Sequence, residues 1–141
     1  MISFLVIVSG PTVSVGEEIY YSELTGEREG HSPGDAERDL GARLAGFEGR
    51  RGFDPVPVLE RIEVPGLWIL GEGDRSIPIR ETVARLDELI DGGRPFTRQV
   101  LPGVGHAMRD LETGERAPVA AIAVDWLQGL RSPAGRRASP G

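Results

Sequence analysis

Three β-forming runs constrain this chain more than anything else: SFLVIV (Ser3 to Val8), LWIL (Leu67 to Leu70) and FTRQVL (Phe96 to Leu101), each closed by glycine or proline. The first two are continuously apolar, the pattern of strands buried on both faces in a parallel sheet covered by helices. Between the second and third runs, Ile79, Val83, Leu86 and Leu89/Ile90 fall at helical spacing, opened by Pro78 and closed by Gly92 and Gly93. A final helix is expected from Ala117 to Leu130, with Val119, Ile122, Ala123 and Trp126 on its apolar stripe. The order strand, helical insertion, strand, helix, strand, helix means an α/β fold with parallel strands and right-handed crossovers. Three strands are fewer than the ~5–6 of an ordinary sheet, so the chain reads as the end of something larger.

The long insertion after the first strand has its own punctuation. Ser14 with Glu17 three residues on forms a capping box ahead of a helix from Glu17 to Leu24. From Thr25 to Asp54 the chain turns rich in glycine and charge, with a helix expected from about Asp35 to Ala45, where Leu40 and Leu44 share a face. DPVPVLERIEVP, Asp54 to Pro65, reads as a short helix between prolines with Leu59 and Ile62 buried. Residues 131–141 lack any core former and are expected to be a disordered tail, leaving 1–130 as the folded unit.

Composition narrows the chemistry. Acids outnumber bases 22 to 16 for a net charge of −6, which argues against nucleic acid, since phosphate binding needs clustered cations. All the bases are arginine, a bias from which no function follows. With no cysteine there is neither disulfide nor thiolate nucleophile, and the two histidines, His31 and His106, lie too far apart for a metal motif. The apolar start is shorter than the ~20 residues a membrane helix needs and lacks the basic region of a signal peptide, so no membrane association is expected and the default compartment is cytoplasmic. Trp68 and Trp126 read as core, Arg75 as an exposed ion-pair partner ahead of the alternative of a contact to an anionic substrate, and His31 and the run Glu27 to Arg38 as solvated surface.

Three strand exits then fall into one register: strand then SGP, strand then GEGDRSIP, strand then LPGVGH. This resembles the C-terminal half of an α/β-hydrolase-fold enzyme over roughly Phe4 to Leu130, with wording closest to the serine esterases, thioesterases and peptidase-like members. In that family the acid sits in the turn after one strand, the histidine in the loop after the next, and a variable cap just before the acid-bearing strand. The resemblance therefore implies Asp74 as the catalytic triad's acid, His106 as its base, and residues about 17–63 as the cap domain. Taken alone, Asp74 also fits a turn or N-cap acid before the following helix. The chemistry suits the residue types: a histidine takes the proton of an attacking serine, while a carboxylate fixes its tautomer. Gly71, Gly73 and Gly105 would let the two loops bend close together. No metal or organic cofactor is implied, and the substrate expected for the complete enzyme is a small molecule or peptide.

The family's G-x-S-x-G elbow is absent. Thr12-Val13-Ser14-Val15-Gly16 comes nearest, but Ser14 lies six residues past the strand, where an elbow needs its serine at the tip. Ser9 is nearer the tip but runs into Gly10 and Pro11. The expectation is a fragment whose serine and oxyanion hole precede residue 1, inactive alone. Two rivals stand beside it: a non-catalytic half-protein or interaction module that pairs with a separate N-terminal half, and a self-sufficient small hydrolase using Ser14.

Overall fold

A computed structural model describes residues 3–26 and 40–132. It contains three strands, β1 (Leu5–Val8), β2 (Gly66–Gly71) and β3 (Phe96–Leu101), and five helices, α1 (Val15–Leu24), α2 (Leu40–Ala45), α3 (Val56–Leu59), α4 (Ile79–Asp91) and α5 (Val119–Arg131). The expected helix over Asp35 to Ala45 is seen from Leu40 onward; its first residues, His31 and all of the Glu27 to Arg38 run lie outside the described residues, as does the tail beyond Ser132.

The strands form one open sheet in the order β1-β2-β3, every pairing parallel. β2 is the central strand and is buried at every position, because it has a neighbour on each edge and helices on each face. Period-two alternation divides its side chains. Trp68 and Leu70 face a cluster with Ile77, Leu86, Leu89 and Phe96, joined by Leu59 and Ile62 from the α3 region and Ile79 and Val83 from α4. Leu67 and Ile69 face the other way, against Val104 and Met108 and the α5 stripe of Val119, Ile122, Ala123 and Trp126. The two core layers are thus α4 on one side of the sheet and α5 on the other. Trp68 packs on Phe96 with ring centroids 4.8 Å apart, and this aromatic pair occupies the space beside Gly66, where a Cβ would meet both rings at 3.0 Å.

β1 departs from the expectation of burial on both faces. Its residues are only partly covered and Val8 is 41% exposed, because among the described residues it pairs on one edge alone, with β2. An apolar run records that a strand is meant for burial; its neighbours decide how much burial it receives.

The insertion is fastened by a buried charge that the capping box only half announces. Ser14 caps α1, and Glu17 closes the box by accepting from the Ser14 amide at 2.9 Å. Glu17 also accepts from Arg85 Nη2 of α4 at 3.0 Å and Arg51 Nη1 at 3.2 Å, with its side chain 7% exposed. Burial alone would raise the Glu17 carboxyl, but hydrogen bonds from Arg85 and Ser14 and the Arg85 charge outweigh it and hold the pKa at about 2. One carboxylate thereby ties α1, α4 and the segment before α3 together.

Candidate active site

Both proposed site loops leave the carboxyl ends of adjacent parallel strands, the place where open α/β sheets gather functional groups. After β2, the chain turns through Glu72 and Gly73 to Asp74; after β3, it passes Pro102 and Gly103 to His106. What lets them meet is Gly71. A Cβ there would lie 2.4 Å from the Val104 carbonyl oxygen and 2.8 Å from that of Gly105, so the histidine loop crosses directly over the end of β2 in space that only glycine leaves open. The Gly73 amide donates to the Val104 carbonyl at 3.0 Å and the Glu72 amide to that of Leu101 at 2.9 Å, stitching the two loops along their length.

Asp74 is buried, with a side chain at 0% exposure, and its two oxygens face different tasks. Oδ1 accepts from the backbone amides of Ser76 at 2.8 Å and Ile77 at 3.0 Å, an Asx turn leading into α4. Oδ2 meets His106 Nδ1 at 2.8 Å across 32 positions of sequence. The two sequence readings of this acid, turn residue and histidine partner, are therefore both realised in one carboxylate. The His106 side chain is 43% exposed, and its other ring nitrogen, Nε2, accepts and donates no hydrogen bond among the described residues.

The remaining candidates separate clearly. Ser14 is 1% exposed, and its hydroxyl donates to Glu17 Oε2 at 2.7 Å while accepting from the Glu17 amide; its proton is committed to a carboxylate within a helix cap. Ser9 sits at the tip of β1 with a left-handed backbone, φ 52, and its hydroxyl donates to the His106 carbonyl at 2.7 Å. Among the described residues Arg75 makes no ion pair and is held instead by Thr25: it donates to the Thr25 carbonyl, and the Thr25 hydroxyl in turn donates to the Arg75 carbonyl at 2.6 Å, clamping the acid loop to the end of α1. Sequence reasoning missed this clamp and the Glu17–Arg85 pair, since both join positions with no shared local pattern.

A cleft of about 530 Å³, lined by Tyr21, Leu40, Glu72, Arg80 and Val100 among others, opens beside the acid loop but includes neither Asp74 nor His106. The site is defined by the paired side chains rather than by that cleft. Among the described residues no group of three His, Asp or Glu side chains is placed to hold a metal ion, and no helix is long and apolar enough to cross a membrane.

No family model matches the sequence, and neither does any curated protein. Solved structures do. The acylaminoacyl peptidase of Pyrococcus horikoshii is similar with a TM-score of 0.55 at 13% identity, over 99% of this chain and 21% of that one. A thermophilic esterase of the Planctomycetes species Thermogutta terrifontis is similar with a TM-score of 0.54 at 18% identity, over 94% of this chain and 45% of that one. Both are α/β-hydrolase enzymes, and the chain has part of that fold: three parallel strands of one open sheet with their crossover helices. It spans about a fifth of the first structure's length and less than half of the second's.

Proposed function

We propose that this chain is the C-terminal portion of a serine hydrolase that cleaves ester, thioester or peptide bonds, with Asp74 as the acid that orients His106 and His106 as the general base. The observation that carries the reading is the 2.8 Å contact between His106 Nδ1 and Asp74 Oδ2. A carboxylate is acceptor-only, so the proton of the neutral imidazole sits on Nδ1 and the lone pair on Nε2. Nε2 then takes the proton of a serine hydroxyl as its oxygen attacks the substrate carbonyl, and later delivers it to the leaving group; Asp74 stabilises the imidazolium formed between the two steps. The serine and the oxyanion hole, which the chemistry requires, belong in this reading to a segment outside the present sequence, and the chain alone is inactive. Residues about 17–63, ahead of the acid-bearing strand, are the cap that shapes the substrate pocket.

The test is reconstitution. The chain is combined with the segment carrying G-x-S-x-G that is encoded upstream in the same frame or by a neighbouring reading frame, and the mixture is treated with a fluorophosphonate. Labelling is expected only when both parts are present, falling at least about a hundredfold in His106→Ala, the contribution of a positioned general base. Labelling indifferent to His106 refutes the assignment. A second reading, a half-protein that pairs with a separate N-terminal half without catalysis, draws on the exposed outer strand β1, where Val8 is 41% exposed and Phe4, just ahead of the strand, 40%. A stable complex that is never labelled supports that reading instead.

A further inference from the structure

Ser9 occupies a backbone that suits glycine better than serine. Its φ of 52 is left-handed, a region that is uncommon for residues carrying a Cβ. What serine adds there is a hydroxyl, and that hydroxyl donates to the backbone carbonyl of His106 at 2.7 Å, joining positions 97 apart. Ser9 is itself held, because its amide donates to the Ile69 carbonyl of β2 at 3.0 Å. The histidine loop, having crossed the end of β2 over Gly71, thus ends on the tip of β1.

The two partners of the Asp74–His106 contact are anchored unequally. Asp74 is fully buried and fixed by two amide donors on its other oxygen. His106 is 43% exposed at its side chain, and among the described residues it makes only the ring contact to Asp74 and the carbonyl contact to Ser9. The loop on either side of His106 is held, Gly105 donating its amide to the Arg109 carbonyl at 2.9 Å and Met108 its amide to the Gly105 carbonyl at 3.0 Å, but without the Ser9 hydroxyl the His106 peptide itself would have no hydrogen bond among the described residues. We propose that Ser9 is a positioning residue for His106: its hydroxyl sets the His106 backbone so that Nδ1 arrives at Asp74 Oδ2. This rests on the reading of Asp74 and His106 as acid and base.

Ser9→Gly separates positioning from stability, since it removes the hydroxyl while relieving the left-handed backbone. Two quantities are measured on the full chain: the denaturant midpoint, and the solvent-exchange rate of the His106 Nδ1 proton, which resonates downfield of the amides when bound to a carboxylate. Asp74→Asn serves as the control that abolishes the signal, and Ser9→Ala as a second deletion of the hydroxyl. In Ser9→Gly the midpoint is expected to hold or rise while the Nδ1 proton exchanges about fivefold faster, the factor one ordinary hydrogen bond corresponds to; Ser9→Ala should show the same faster exchange. An Nδ1 signal unchanged in both Ser9 variants but lost in Asp74→Asn overturns the positioning role alone. A wild-type chain without an Asp74-dependent signal overturns the acid–base reading as well.

Discussion

Replacing Glu17 by glutamine tests whether one buried carboxylate holds the insertion to the sheet. Glutamine still accepts from the Ser14 amide, so the capping box persists, whereas the charge facing Arg85 and Arg51 is gone. The Glu17 carboxyl falls from its ordinary 4.5 to about 2, as the hydrogen bonds from Arg85 and Ser14 overcome the upward push of burial. Converted at about 1.4 kcal/mol per tenfold change in proton affinity, that lowering corresponds to about 3 kcal/mol of stability. The sign follows from linkage. A carboxyl whose folded pKa is depressed contributes fully above its unfolded value of 4.5 and loses the contribution as the pH falls toward about 2. The assay is urea unfolding of wild type and Glu17→Gln at a series of pH values. The wild type should be more stable by about 3 kcal/mol at pH 7, a gap of the size expected when one partner of a buried pair is removed, and the two curves should converge as the pH approaches 2. A gap that persists unchanged at low pH would show that shape and packing at position 17, rather than its charge, stabilise the fold.

Three further outcomes follow from the packing. Gly71→Ala places a Cβ 2.4 Å from the Val104 carbonyl oxygen, so it should cost about 1–3 kcal/mol in chemical denaturation and also remove the His106 Nδ1 signal, because the displaced backbone carries the histidine. Leu86→Ala, at a fully buried position in the α4 core layer, should lower unfolding free energy by about 2–5 kcal/mol, read from the urea midpoint at constant slope. Asp87→Asn breaks a 2.6 Å pair with Arg98 whose side chains are 45% and 36% exposed; its cost should stay below about 1 kcal/mol and shrink as salt is added.

How much of this could be read in the sequence depends on the range of the cause. The three runs mark the three strands, and Leu67 to Leu70 and Phe96 to Leu101 lie within a residue of β2 and β3, because glycine and proline end strands locally. The α5 stripe packs as its spacing implies. Ser14 and Glu17 form their capping box as read, since three residues suffice to define it. Arg85 and Arg51 were invisible in that role: they meet Glu17 from 68 and 34 positions away, and nothing local in either arginine's surroundings points to a buried acid. The exposure of β1 is likewise a property of its pairing on one edge alone among the described residues, not of SFLVIV. The meeting of Asp74 with His106 was legible only through the family resemblance that the order of strand exits carries, while the device that permits it, the passage of one loop over Gly71, could be read as a glycine near an acid but not as a crossing.

The divided carboxylate of Asp74 has an evolutionary consequence. One oxygen serves the turn that starts α4 and the other serves the histidine. Selection for folding alone would therefore keep an acid, or its amide, at position 74 long after any chemistry had lapsed. His106 has no such second employment: its imidazole is half open to solvent and supports no part of either core layer. On the proposed acid–base reading, copies of this gene released from that chemistry should lose the histidine first, and the aspartate should outlive it.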